Sequence, residues 1–146
     1  MNKQTTEKIN VYIADTAVLF IKWHNLHWNV VGSQFKSVHE YLETLYDSLS
    51  DVLDETAEIL KMHDELPLAS LSDYLKVTNV KELESKDIQI NDALDIVIND
   101  MELMRTNATE IRVLADNENL FDVVSMMEDH ISEYNKNLWF IKATRK

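Results

Sequence analysis

Five side chains have the chemistry and spacing of metal ligands: His27, His39, Glu43, Asp54 and Glu58. On a helix turning 100° per residue, with His39 as zero, Glu43 falls near ~40°, Asp54 near ~60° and Glu58 near ~100°. All four share one side. Along the axis, however, Glu43 and Asp54 stand eleven residues apart, about 16 Å. Metal–ligand bonds are about 2 Å long, so the two pairs cannot hold one ion within a single chain. Two such helices packed antiparallel about a two-fold axis remove the conflict, because His39 and Glu43 of one then face Asp54 and Glu58 of the other. An isologous contact of this kind creates two equivalent sites. His27 lies five residues before Gly32 and His39 seven after it. A hairpin at the glycine therefore returns both imidazoles to a similar height. The expected site is His27, His39 and Glu43 from one subunit with Asp54 and Glu58 from its partner. Imidazole and carboxylate donors without thiolate suit iron, with zinc, manganese and cobalt as competitors. Ligands divided this way leave positions open for an oxidant, as redox chemistry at Fe(II) requires.

Each pair alone has an ordinary explanation. Acidic residues four apart are common on exposed helix faces, and a His–Glu pair at that spacing is usually a surface hydrogen bond. The conjunction of both pairs with a third ligand across a hairpin raises them above that background. His24, three residues before His27, reads as a helix-face residue near the interface. His63 and His130 read as surface or packing residues, and Glu55 as part of a solvated face. Trp23 and Trp139 are expected at subunit contacts or the bundle rim.

Helices must position these ligands. One Gly and one Pro in 146 residues leave little punctuation for tight turns or a many-stranded sheet. Apolar periodicity predicts helices over about 5–31, 34–62, 87–114 and 119–142, with a short helix over about 68–76. The first shows Ala14, Ala17, Val18, Ile21, Asn25 and Trp28 at helical spacing. The second shows Val38, Leu42, Leu45, Leu49, Val52, Thr56 and Ile59 in a seven-residue repeat. Leu94, Val97, Met101, Met104, Ala108 and Ile111 are the inward row of the third long helix. Val124, Met127, Ile131, Tyr134, Leu138 and Ile141 are that of the last. Gly32 ends the first helix and Ser33 is placed to cap the second. Two helical hairpins joined by one long crossover predict an all-α, single-domain, ferritin-like four-helix bundle over residues 1–146.

The formal charge of −12 repels nucleic acid and anionic membrane and suits cations. With no cysteine, disulfides, thiolate sites and Cys nucleophiles are excluded. The polar start, residues 1–10, lacks a signal peptide's apolar core, and the apolar run at 17–21 is far short of the roughly 20 residues that span a bilayer. A cytoplasmic chain is expected.

The segments Leu26-His27-Trp28-Asn29-Val30, Gly32, Phe35, His39-Glu40, Leu45-Tyr46 and Asp54-Glu55-Thr56-Ala57-Glu58 closely resemble the Dps-like mini-ferritins. Lys136-Asn137-Leu138-Trp139 resembles that family's closing Trp segment. The resemblance implies a dodecameric hollow shell with ferroxidase sites at two-fold interfaces, each holding two iron ions. It implies oxidation of Fe(II), with hydrogen peroxide preferred to oxygen, and storage of ferric mineral, protecting against oxidative stress. By position, His27, His39, Glu43, Asp54 and Glu58 are then the ferroxidase ligands, and Trp28 an aromatic that intercepts stray oxidising equivalents. Glu43 stands where the family often has Asp.

Other departures matter. Met62-His63-Asp64-Glu65-Leu66 replaces the Gly-Gly that often ends the family's second helix, so that turn must be built differently. Asp122, Glu128 and Asp129 are candidates for lining the pore that admits iron, but Ser125 stands where an Asp is frequent. Lys3, Lys8, Lys142, Arg145 and Lys146 are a thin substitute for the Lys-rich tail with which many members bind DNA. Two alternatives remain beside the ferroxidase reading: a DNA-compacting shell, and a non-redox buffer for zinc or another divalent metal.

Overall fold

In the computed structural model, which describes all 146 residues, helix α1 spans Lys3–Asn29, α2 Phe35–Met62, α3 Leu71–Val77, α4 Ile90–Asn117 and α5 Phe121–Arg145. The architecture is the four-helix bundle with a short helix in the crossover. Helix α1 packs along α2 and α4 along α5, and α1 also packs against α4 and α3. Val38, Leu42, Leu45, Leu49, Thr56 and Ile59 of α2 reach one shared core. Leu94, Val97, Met101, Met104, Ala108 and Ile111 of α4 and Val124, Met127, Tyr134, Leu138 and Ile141 of α5 join them. Val52 and Ile131 lie half-buried at its edge.

Helix α1 departs from expectation. Its core row is Ile9, Tyr12, Ile13, Leu19, Trp23 and Leu26, nearly opposite the Ala14–Trp28 row on a 100° wheel. Ala14 and Val18 of that second row are buried, but Ile21 is 58% and Trp28 65% exposed. Two apolar rows run along this helix, and a pattern argument cannot rank them. Trp23 is therefore core rather than rim, 1% exposed, whereas Trp139 stands 69% exposed on α5.

The first helix stops two residues sooner than expected. Val30 and Val31 leave it to pair in parallel with Ile88 and Gln89, forming the two-stranded β1–β2 sheet. That pairing delays the start of α4 to Ile90. The crossover is stitched along α1 by three polar residues. Asn10 accepts from Leu68 N at 2.7 Å and donates to Leu66 O at 3.4 Å. Asp15 accepts from Thr78 Oγ1 and Asn79 N, each at 2.7 Å. Asn25 donates to Glu84 O at 3.1 Å and Leu83 O at 3.4 Å. These bonds replace the backbone pairing that a coil crossing a bundle surface lacks. The short helix begins at Leu71 because Ser70 caps it, accepting from Asp73 N at 3.2 Å.

The chain ends are pinned at opposite ends of the bundle. Asn2 N donates to Glu118 at the α4–α5 turn, and Arg145 pairs with Asp95 near the start of α4 at 2.7 Å.

Candidate metal centre

The turn between α1 and α2 brings the two histidines together. Gly32 has φ 148°, a conformation L side chains rarely adopt. A Cβ there would meet Ile90 Cδ1 at 2.7 Å. Ser33 does not cap α2. Its N-cap is Gln34, with no side-chain bond, so chain reversal rests on the glycine.

His27 and His39 stack with ring centroids 3.7 Å apart and planes 14° from parallel. His27 Nδ1 donates to His39 O at 2.7 Å, and His39 Nδ1 donates to His27 O at 2.7 Å. A carbonyl only accepts, so each Nδ1 carries a hydrogen. In the neutral ring the lone pair is then on Nε2. Such an outer bond selects the tautomer and aims the ring of a metal-ligating histidine. His27 is buried and His39 half-buried.

One turn beyond His39, Glu43 is exposed and accepts from Tyr46 Oη at 3.3 Å. Partial burial and the Glu43 charge push the Tyr46 phenol above its ordinary value, so it stays a donor. Tyr46 also stacks on His24 at 3.6 Å and meets the edge of His27 at 5.1 Å. His24 is fixed in turn by a bond to Phe20 O at 2.5 Å, so it faces Tyr46 as one member of an aromatic cluster. Sequence reasoning missed Tyr46, although its spacing of three from Glu43 on a helix was a usable signal. Trp28 lies outside the histidine pair, its ring 5.4 Å from His24.

Asp54 and Glu58 are exposed farther along α2. Within one chain no three His, Asp or Glu side chains come close enough to hold a metal ion. The donors present are hard or borderline and suit Fe(II) or zinc. Among the acidic residues of α5, Asp122 accepts from His63 Nε2 at 2.9 Å, and Glu128 pairs with Arg112 at 2.9 Å. His63 and His130 thus both have partners. His130 is buried between Tyr12 and Glu55.

A ferritin-like domain profile matches residues 6–146. The chain belongs to the ferritin-like family. Within it, the chain is a Dps-like mini-ferritin by its relatives. It is 31% identical over 140 residues to the DNA protection during starvation protein of Helicobacter pylori, covering 96% of this chain and 97% of that one. The crystal structure of antigen TpF1 from Treponema pallidum superposes with TM-score 0.95 at 34% identity, covering 98% of this chain and 92% of that chain. The Dps protein of Vibrio cholerae, described as a ferritin-like diiron-carboxylate protein, superposes with TM-score 0.93 at 25% identity, covering 99% of this ferritin-like chain and 90% of its own. No helix is long and apolar enough to cross a membrane.

Proposed function

We propose that this mini-ferritin is a ferroxidase that oxidises Fe(II), with hydrogen peroxide as the preferred oxidant, and stores the ferric product inside a closed homo-oligomeric shell, a dodecamer. The observation that carries the reading is the reciprocal His27–His39 clasp. It leaves an Nε2 lone pair on each of two stacked rings, one turn of α2 from Glu43. Asp54 and Glu58 of a two-fold partner complete the site, with room for two iron ions. The exposed apolar row of Ile21 and Trp28 on α1 supports burial against a second copy. Ferritin-like relatives support iron as the substrate.

The clasp holds both rings in the ligating tautomer before metal arrives, so binding requires no imidazole reorientation. Tyr46 holds the longer Glu43 side chain by its carboxylate. Each peroxide accepts two electrons, one from each of two Fe(II) ions, and becomes two hydroxides. Neither ion is then left to release a hydroxyl radical. Trp28, exposed and next to His27 in sequence, is an aromatic that intercepts a stray oxidant.

The test is anaerobic loading of the apoprotein with Fe(II), followed by peroxide. One peroxide should disappear for each pair of Fe(II) ions, far faster than in buffer. His27→Ala and Asp54→Ala should each abolish the acceleration. Oxidation no faster than in buffer sinks the reading, and tight zinc binding without oxidation would mark a divalent-metal buffer instead. With a net charge of −12, no retardation of DNA is expected in a low-salt gel shift. Retardation that weakens with salt would favour the DNA-compacting alternative.

A further inference from the structure

Behind the turn of α2 that carries Asp54 and Glu58, a hydrogen-bonded chain of four side chains crosses the bundle. Tyr12 Oη lies 2.6 Å from Tyr134 Oη and 3.1 Å from His130 Nδ1. His130 Nε2 meets the Glu55 carboxylate. Tyr12, Tyr134 and His130 are buried, whereas the Glu55 side chain is 49% exposed. The bond directions follow from the outer end. Carboxylate oxygens only accept, so His130 Nε2 carries a hydrogen. In the neutral ring Nδ1 then accepts, and Tyr12 must be its donor. With its own hydrogen committed, Tyr12 oxygen accepts from Tyr134. The result is a directed hydrogen-bond chain from Tyr134 through Tyr12 and His130 to Glu55, and Tyr134, His130 and Glu55 all line one cleft of about 210 Å³ that also holds Asp51, Asp129 and Glu133.

Packing alone does not call for this arrangement, because two Phe residues and a Leu would fill the same space without polar groups to satisfy. A buried phenol beside an imidazole is suited to one reaction that isolated tyrosine performs poorly. Loss of an electron makes the phenol strongly acidic, and a proton acceptor already in place removes the charge that the interior would penalise.

We propose that Tyr12, with His130 as proton acceptor, is a redox site that gives one electron to strong one-electron oxidants formed at or near the iron. The step balances: hydroxyl radical gains one electron and becomes hydroxide. Tyr12 loses that electron and passes its phenolic proton to His130 Nδ1. A neutral phenoxyl beside an imidazolium results, and Glu55 stabilises the imidazolium. Tyr134 donates to the phenoxyl oxygen and holds the radical in place. Fe(II) then returns one electron while His130 returns the proton, restoring tyrosine and leaving Fe(III). Burial pushes both phenols well above their ordinary values, so neither is a phenolate at rest and the proton must move with the electron. Glu55 follows Asp54 directly in sequence, so the outer end of this chain sits on the same stretch of α2 as the carboxylate pair. The supply of oxidant rests on the ferroxidase reading; the redox competence of Tyr12 does not.

The test therefore omits iron. Azide radicals made by pulse radiolysis would oxidise the metal-free oligomer, and phenoxyl absorption and freeze-quenched EPR would follow the product. A long-lived phenoxyl is expected, with the high-field g shift of a hydrogen-bonded radical and slower decay in deuterium oxide. Tyr12→Phe should lose this signal. Tyr134→Phe should keep it but alter the g shift, and His130→Leu should shorten its lifetime. The wild-type g shift and isotope effect need no variant to fold. A phenoxyl without hydrogen bonding in the wild type, or one undiminished in Tyr12→Phe, would overturn the proposal while leaving peroxide-coupled iron oxidation standing. Conversely, failed iron oxidation with an intact Tyr12 signal would remove only the ferroxidase reading.

Discussion

Lys22 and Asp100 bring opposite charges inside the bundle at 2.8 Å, and Trp23 Nε1 donates to the second carboxylate oxygen at 3.1 Å. Burial pushes the Asp100 carboxyl up, and Lys22 and Trp23 pull it back. Removing one partner leaves a buried charge alone, so Lys22→Met should cost about 3–5 kcal/mol in urea unfolding. The double variant Lys22→Met with Asp100→Leu should recover most of that loss, because the uncompensated charge is gone. Asp15 makes a different case. Besides Thr78 and Asn79, it accepts from Asn107 Nδ2 at 3.1 Å, yet burial still raises its carboxyl above the ordinary value. The folded state therefore binds that proton more tightly than the unfolded chain. The group's contribution is complete at acid pH and is lost as pH rises through the raised value. Asp15→Asn should accordingly gain on the wild type in denaturation midpoints as pH rises from about 4, the ordinary carboxyl value, through the raised one. Asp15→Ala, which orphans three donors, should cost about 1–3 kcal/mol at acid pH, where the Asp15 contribution is complete.

Helices α2 and α4 end in the same way, without glycine. Asp64 and Asn119 take φ 60° and 58°. Glu65 N reaches Leu60 O at 2.9 Å and Asp64 N reaches Lys61 O at 3.1 Å. Leu120 and Asn119 repeat the pattern on Ala115 and Asp116. This double bond pattern closes a helix whose next residue is left-handed. It answers how a chain without Gly-Gly leaves its second helix. Asp64→Gly should therefore stabilise the fold by about 0.5–1 kcal/mol, read from thermal or urea melts. At Gly32 the sign reverses. Alanine there meets both a disfavoured φ and Ile90, and should cost about 1–3 kcal/mol and loosen the histidine clasp. The approach of His27 to His39 was legible because counting residues around one glycine suffices. Core rows of α2, α4 and α5 were legible because each presents one dominant apolar stripe. Helix α1 presents two, and the row expected to face inward proved to be the partly open one, with Ile21 and Trp28 exposed. His130 was illegible for another reason: its partners lie 75 and 118 residues away, and no local pattern encodes such meetings. The β1–β2 pairing was hidden likewise, since two-residue strands have no periodicity to read.

At the scale of the assembly, divided ligands give a test that no single-chain site passes. A chain lacking His27 and His39 and a chain lacking Asp54 and Glu58 should each be inactive alone. Unfolded and refolded together, they should form mixed pairs with one working site each, because the intact histidines of one then face the intact carboxylates of the other. Iron oxidation by the mixture, against none from either parent, is the expected outcome. Continued inactivity despite verified mixed oligomers would place the site elsewhere.

Pinning Asn2 at the α4–α5 turn and Arg145 beside the start of α4 also governs what can be grafted onto this protein. Termini at opposite ends of helices of 25–28 residues are separated by about 40 Å. Joining them head to tail to reopen the chain elsewhere would need a tether on the order of a dozen extended residues, laid outside the bundle. Passengers fused at the two ends would leave each subunit at sites a full bundle length apart, so one molecule could display two different cargoes without their colliding.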